Sequence, residues 1–174
     1  MEALQAIMTL RSVRLYTAAA VDDETVDTLL KAAMQAPSAR NAQPWHFIVI
    51  RDRTVLETIP RFHPYSNMLL NAPLAILVCG DQAIEEDAEY INQDCAAATQ
   101  NILLAAHALG LGAVWLGVYP RTKRIQETRR LLNIPSRILP VSLIALGHPA
   151  EEKTEIDRFK PERVYHDTWG NLRI

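Results

Sequence analysis

The chain has 174 residues, 49% hydrophobic, 22% charged and 6% aromatic; a chain of this length buries roughly 70% of its unfolded surface on folding, which excludes disorder and predicts one domain with a core. Eighteen basic residues against twenty acidic ones leave a net charge of −2, too balanced for a polyanion bound along an extended surface, so no nucleic acid is expected. Apolar runs such as Leu74 to Cys79 fall far short of the ~20 residues of a membrane helix, and Met1-Glu2-Ala3 opens no basic-then-apolar leader, so a cytoplasmic protein without a membrane partner is expected.

The predicted elements alternate between helix and strand. Leu4, Ile7 and Met8 recur at helical spacing from Glu2 to Leu10; Val26, Leu29, Leu30, Ala33 and Met34 do so after the start signal Asp22-Asp23, and Pro37 stops that helix. Trp45 to Ile50 is a β-branched and aromatic run of the kind a buried strand needs, and Leu74 to Cys79 repeats it after Pro73. Asp94 is expected to cap an alanine-rich helix running to Leu109, with Gly110 supplying the left-handed turn beyond its end. A third strand, Ala113 to Val118, a basic amphipathic helix from about Arg121 to Leu132, and a fourth strand, Leu139 to Leu146, follow; from Ala150 the chain is polar. Helices alternating with strands pack on the faces of one sheet, and pattern alone favours a doubly wound arrangement, although periodicity does not say which neighbours run parallel. The alanine-rich helix is apolar nearly all round and must be covered on every side, either at the centre of the domain or at a subunit interface.

Familiar catalytic motifs are missing: no G-x-S-x-G, no H-E-x-x-H, no phosphate-binding G-x-x-x-x-G-K-[ST], and no G-x-G-x-x-G after a strand. Gly110-Leu111-Gly112 closes a helix rather than opening one, and the five histidines lack ligand spacing, so no metal is expected. Cys79 and Cys95 show no C-x-x-C spacing and read as buried thiols. Two stretches remain. Arg11-Ser12-Val13-Arg14 sets two guanidinium groups and a hydroxyl close enough to hold a phosphate monoester, with ordinary solvated surface as the alternative. Ala36 to Trp45 joins a helix to a strand through two prolines and small polar residues, suiting either a planar polar ligand or a rigid connector. Trp45 reads as core, Trp169 as an anchor for the tail, and Trp115 as structural support, with contact to a bound planar ring as the alternative. The basic helix reads as a solvated face, a nucleotide-phosphate site being the alternative.

Taken in order, these stretches resemble the FMN-dependent nitroreductase family, particularly its short single-domain members. Arg11-Ser12-Val13-Arg14 is similar to the family's phosphate and ribityl motif, and Ala36-Pro37-Ser38 through Asn41-Ala42-Gln43-Pro44-Trp45 to its flavin-edge loop. Asn92-Gln93-Asp94 through Gly117 is similar to its central helix and following strand, while Gly147-His148-Pro149 and Arg158-Phe159 complete the series. Each motif is modest; their order over almost the whole chain makes the match specific.

The resemblance replaces the doubly wound guess with an α+β fold, a three-layer α-β-α sandwich around a mixed, largely antiparallel sheet. It implies one domain over residues 1–174, the tail from 150 packing on a partner subunit, and a homodimer with one FMN at each of two shared interfaces and the alanine-rich helix at its centre. Arg11 and Ser12 then hold the phosphate and ribityl chain, and Arg14 faces flavin N1 and the C2 carbonyl. Pro37, Ser38 and Asn41, with Gln93 nearby, reach the ring edge from the other subunit, while Leu116 and Gly117 offer backbone amides to N5 and O4. Arg158 is the candidate for a further phosphate contact, ahead of Lys153 and Lys160. Leu10 departs from the family's usual arginine, so one anionic contact is lost or supplied elsewhere. The implied activity is ping-pong hydride transfer through flavin N5, from NADH or NADPH to a nitroaromatic, quinone or related acceptor, with no catalytic side chain required. The alternative is a flavin-binding carrier or sensor without turnover.

Overall fold

In a computed structural model, described for residues 1–154 and 156–173, the helices are α1 (Ala3–Thr9), α2 (Asp23–Met34), α3 (Arg53–Thr58), α4 (Ala88–Ala108) and α5 (Thr122–Leu132). The strands β1 (Trp45–Ile50), β2 (Leu74–Asp81), β3 (Gly112–Gly117) and β4 (Ile138–Gly147) form one sheet in the order β1-β2-β4-β3. Every neighbouring pair in it is antiparallel, unlike the parallel neighbours of a doubly wound sheet. A parallel element enters through the isolated bridge between Ser12 and Ala113, which lays the segment after α1 along the free edge of β3.

β2 is buried at every residue, as a central strand covered on both faces must be. Its alternation divides the core in two. Ile76 and Val78 meet Leu29 and Ala33 of α2 and Cys95, Ala98 and Ile102 of α4, whereas Leu77 and Cys79 meet Leu56 of α3, Leu116 of β3 and Ile134 beyond α5. Helices on both faces of the sheet make the three-layer sandwich.

Two helices differ from expectation. α4 starts at Ala88 under an Asp87 cap, whose carboxylate accepts the Glu89 N–H at 2.8 Å; Asp94 is therefore not a cap but a buried residue inside the helix. The sequence Glu85 to Tyr90 is charged, and apolar periodicity does not see a helical turn that solvent covers. α4 is also not enclosed within the chain: Gln93, Gln100 and Ala108 are exposed and Ala96, Ala97 and Leu104 only half-buried, an open stripe at helical spacing. α3 has no counterpart among the predicted elements; Asp52 caps it through the Val55 N–H at 3.1 Å. No helix among the described residues is long and apolar enough to cross a membrane.

Candidate functional site

The site grows from the free edge of β3. Ala113 turns its carbonyl outward to accept the Val13 N–H at 3.0 Å, while Val118 donates inward to Val141 at 3.0 Å. Backbone groups on a strand alternate in direction, so Trp115 and Gly117 present their N–H groups to the open side and Leu116 presents its own to β4. The two amides expected to act alike are therefore unequal, and Trp115 supplies the second outward donor. The Gly117 carbonyl also faces out, accepting from His63 Nε2 at 2.9 Å and Arg124 Nη1 at 2.7 Å.

Two cavities flank this edge. One, of about 480 Å³, is lined by Arg14, His63, Tyr65, Trp115, Gly117 and Arg124. The other, of about 290 Å³, is lined by Leu10, Arg11, Ser12, Gln100, Trp115 and Arg158. Trp115, 37% exposed, lines both. The arrangement puts a cationic, hydroxyl-bearing cleft on one side of the indole and a wider mixed cleft with outward amides on the other.

Arg11 is heavily committed. Its guanidinium donates to the carbonyls of Met8 at 3.1 Å, Leu10 at 2.7 Å, Thr154 at 3.3 Å and Ile156 at 3.0 Å, tying the tail to the end of α1 and leaving one Nη2 hydrogen without a partner among the described residues. Leu10, in place of an arginine, contributes apolar wall to the same cleft. Glu151 sets the neighbouring turn: its carboxylate accepts the amides of Arg14 at 2.6 Å and Leu15 at 3.2 Å and pairs with Lys153 at 2.6 Å. The Arg14 amide, then the Lys153 ammonium, hold its carboxyl below the usual range. Lys153 is thus engaged, and of the three tail cations Arg158 is the one that lines the Ser12 cleft.

Pro37, Ser38, Asn41 and Gln93 gather elsewhere, about the loop between α2 and β1 and the first half of α4. Arg40, Asn41 and Gln43 all take left-handed φ values, 53°, 55° and 52°, a conformation unfavourable for residues with a Cβ and stored at functional sites. The loop is over-determined. Asp94 Oδ1 accepts the Ala39 N–H at 2.9 Å and Ser38 Oγ the Gln43 N–H at 3.0 Å; Arg40 pairs with the buried Glu85 carboxylate and lies 5.1 Å from the Tyr90 ring centroid. None of these four expected residues lines either cavity beside Trp115. The expected site residues therefore fall into two groups within one chain.

Sequence reasoning missed His63, Tyr65 and Arg124. Burial lowers the His63 pKa, and because Nε2 faces a carbonyl it carries the hydrogen, leaving the buried Nδ1 without a partner among the described residues. Arg124 stacks over Tyr65 at 5.5 Å. No spacing in the sequence announces this cluster, since it joins two distant segments at one strand end. Cys79 and Cys95 are buried free thiols; desolvation pushes Cys79 up to about 12 and Cys95 higher still, so neither serves as a nucleophile. Trp45 is core as expected, but Trp169 is 89% exposed and packs on Tyr165, ring centroids 4.7 Å apart, so it does not anchor the tail to the domain.

An antiparallel sheet between helical layers, with a cationic cleft and a wider mixed one along one free strand edge, defines an α+β protein. The chain matches the family model described as Nitroreductase family over residues 7–66 and 58–148, and it belongs to that family. It is 50% identical, over 97% of its own length and 88% of the relative's, to a provisionally named NADH dehydrogenase/NAD(P)H nitroreductase of Methanothermobacter thermautotrophicus. Among solved structures it is similar to one of the same provisional name from Parabacteroides distasonis, with a TM-score of 0.93 and 40% identity over 96% of this chain and 98% of that one. It is also similar to a provisionally named nitroreductase from Desulfovibrio desulfuricans in complex with FMN, at TM-score 0.83 and 37% identity over 97% and 98% of the two chains.

Proposed function

We propose that the protein is an FMN-dependent NAD(P)H oxidoreductase working as a homodimer, with a nitroaromatic, quinone or related compound as acceptor. One observation carries the reading: the two clefts beside Trp115 offer, on this chain, a cationic pocket at Ser12 and outward amides beside Arg14. That donor set fits a monophosphate tail joined to an electron-accepting ring, and a relative of the same fold is described in complex with FMN. When bound, FMN supplies the two-electron chemistry, taking hydride from a nicotinamide nucleotide and passing it on in a ping-pong cycle.

In this reading Ser12, Arg158 and the remaining Arg11 donor hold the phosphate and ribityl chain through charge-assisted hydrogen bonds. With the ring in the wider cleft, Arg14 would stabilise the negative charge gained on reduction, and the outward N–H groups of Gly117 and Trp115 would hydrogen-bond the ring edge. Pro37, Ser38, Asn41 and Gln93 lie apart from these residues in a single chain, so they complete the site only if a second copy delivers them. The open stripe of α4 and the exposed tail give that second copy a surface to cover. His63 and Arg124 hold the Gly117 carbonyl and keep the end of β3 rigid.

The test is an absorption spectrum of the purified protein incubated with FMN, before and after anaerobic addition of NADH or NADPH. Retained yellow colour bleached by nucleotide and restored by an acceptor is expected. Retention without bleaching identifies a flavin carrier or sensor, and a colourless dimer or an isolated monomer overturns the reading.

A further inference from the structure

Beyond the flavin clefts, a third cavity of about 620 Å³ opens between α5 and the turn after α3, lined by Thr58, Arg61, Phe62, Lys123, Glu127, Arg130 and Leu131. Its size lies within the range of about 300–1,000 Å³ typical of small-molecule sites. Phe62 and Leu131 are half-buried and give it an apolar floor, whereas Arg61 and Lys123 are exposed at the rim without a partner among the described residues. The one acidic group, Glu127, is paired with Arg130, so two positive charges remain uncompensated on a chain whose net charge is −2.

Helix stability does not explain this charge. α5 has no acidic residue in its first turn and no side-chain cap, and Lys123 stands at the end where the helix dipole disfavours cations. Arg124 and Arg129, by contrast, are spent on the carbonyls of Gly117 and Ile138. The same two segments also build the cavity beside Trp115, which takes His63 and Tyr65 from one and Arg124 from the other. The two spaces are therefore neighbours along both walls.

We propose that this cleft takes the adenosine end of the electron donor, with the purine on Phe62 and Leu131 and a ribose 2′-phosphate between Arg61 and Lys123, making NADPH the preferred nucleotide. The proposal deepens the oxidoreductase reading and rests on it. A 2′-hydroxyl offers those cations nothing comparable, because it is neutral, whereas the phosphate adds coulombic attraction and several acceptor oxygens that an arginine fork can engage in pairs.

The test titrates adenosine 2′,5′-bisphosphate and adenosine 5′-monophosphate calorimetrically into the FMN-loaded protein and into its Arg61→Ala/Lys123→Ala variant, with thermal unfolding as the folding control. The bisphosphate is expected to bind about tenfold more tightly to the parent, and the variant to lose that preference together with about tenfold in the NADPH-to-NADH ratio of kcat/KM. Equal binding of the two fragments by the parent, or a preference that survives in the variant, overturns the proposal. FMN retention and bleaching by NADH are read separately in the parent; their failure counts against the flavin reading and leaves the fragment result to judge the cleft.

Discussion

Asp94, buried inside α4, accepts the backbone N–H of Ala39 at 2.9 Å and so pins the loop holding the left-handed residues Arg40, Asn41 and Gln43 against the helix. Its second oxygen is buried without a partner among the described residues, a cost accepted where a strained loop must stay in one conformation. Asp94→Ala should destabilise the protein by about 1 kcal/mol, the cost of leaving the half-buried Ala39 N–H without its acceptor. It should also weaken FMN retention about tenfold, measured by quenching of flavin fluorescence. Asp94→Asn keeps an acceptor oxygen and should recover most of both losses.

A Cβ on Gly112 would stand 2.5 Å from Val13 Cγ1 and 2.8 Å from its Cβ, at the point where the Arg11–Arg14 segment lies along β3. Gly112→Ala should cost about 1–3 kcal/mol through overpacking, and each kcal/mol lowers Tm by about 2–4 °C in a chain of this size. Adding Val13→Ala removes the contact to Cγ1 but keeps the Cβ at 2.8 Å, so it should restore only part of the Tm, which differential scanning calorimetry would read.

Arg14 lines the wider cleft beside the outward amides. If its charge favours the reduced ring, Arg14→Met should lower the two-electron potential of bound FMN by about 30 mV, equivalent to about 1.4 kcal/mol. Arg14→Lys should lower it by less. An equilibrium dye titration reports the potential; unchanged values in both variants would remove Arg14 from its proposed role.

Glu151 carries the acid sensitivity of the same segment. Its folded pKa is depressed by the amide of Arg14 and by Lys153, so its contribution is present above the unfolded value near 4.3 and is lost as pH falls through the folded value. His63, lowered by burial, adds in the same sense from about pH 6.5 downward. Melting curves should therefore show Tm falling from mildly acidic pH, steepening below about pH 4, and Glu151→Gln should flatten the steeper part.

The chain sequence by itself determined where most strands and helices lie, because apolar periodicity records burial over one or two turns and prolines and glycines mark where it stops. It also held, as short motifs, the Arg11 to Arg14 segment and the loop from Pro37 to Trp45. Tertiary structure decided the rest: the antiparallel direction of the strands, the outward turn of Trp115 and Gly117, the conversion of Asp94 from a supposed cap into a buried tether, and the meeting of His63 and Arg124 on one carbonyl. These depend on hydrogen bonds between residues far apart in the chain, whose direction and register leave no periodic trace in either partner's own neighbourhood.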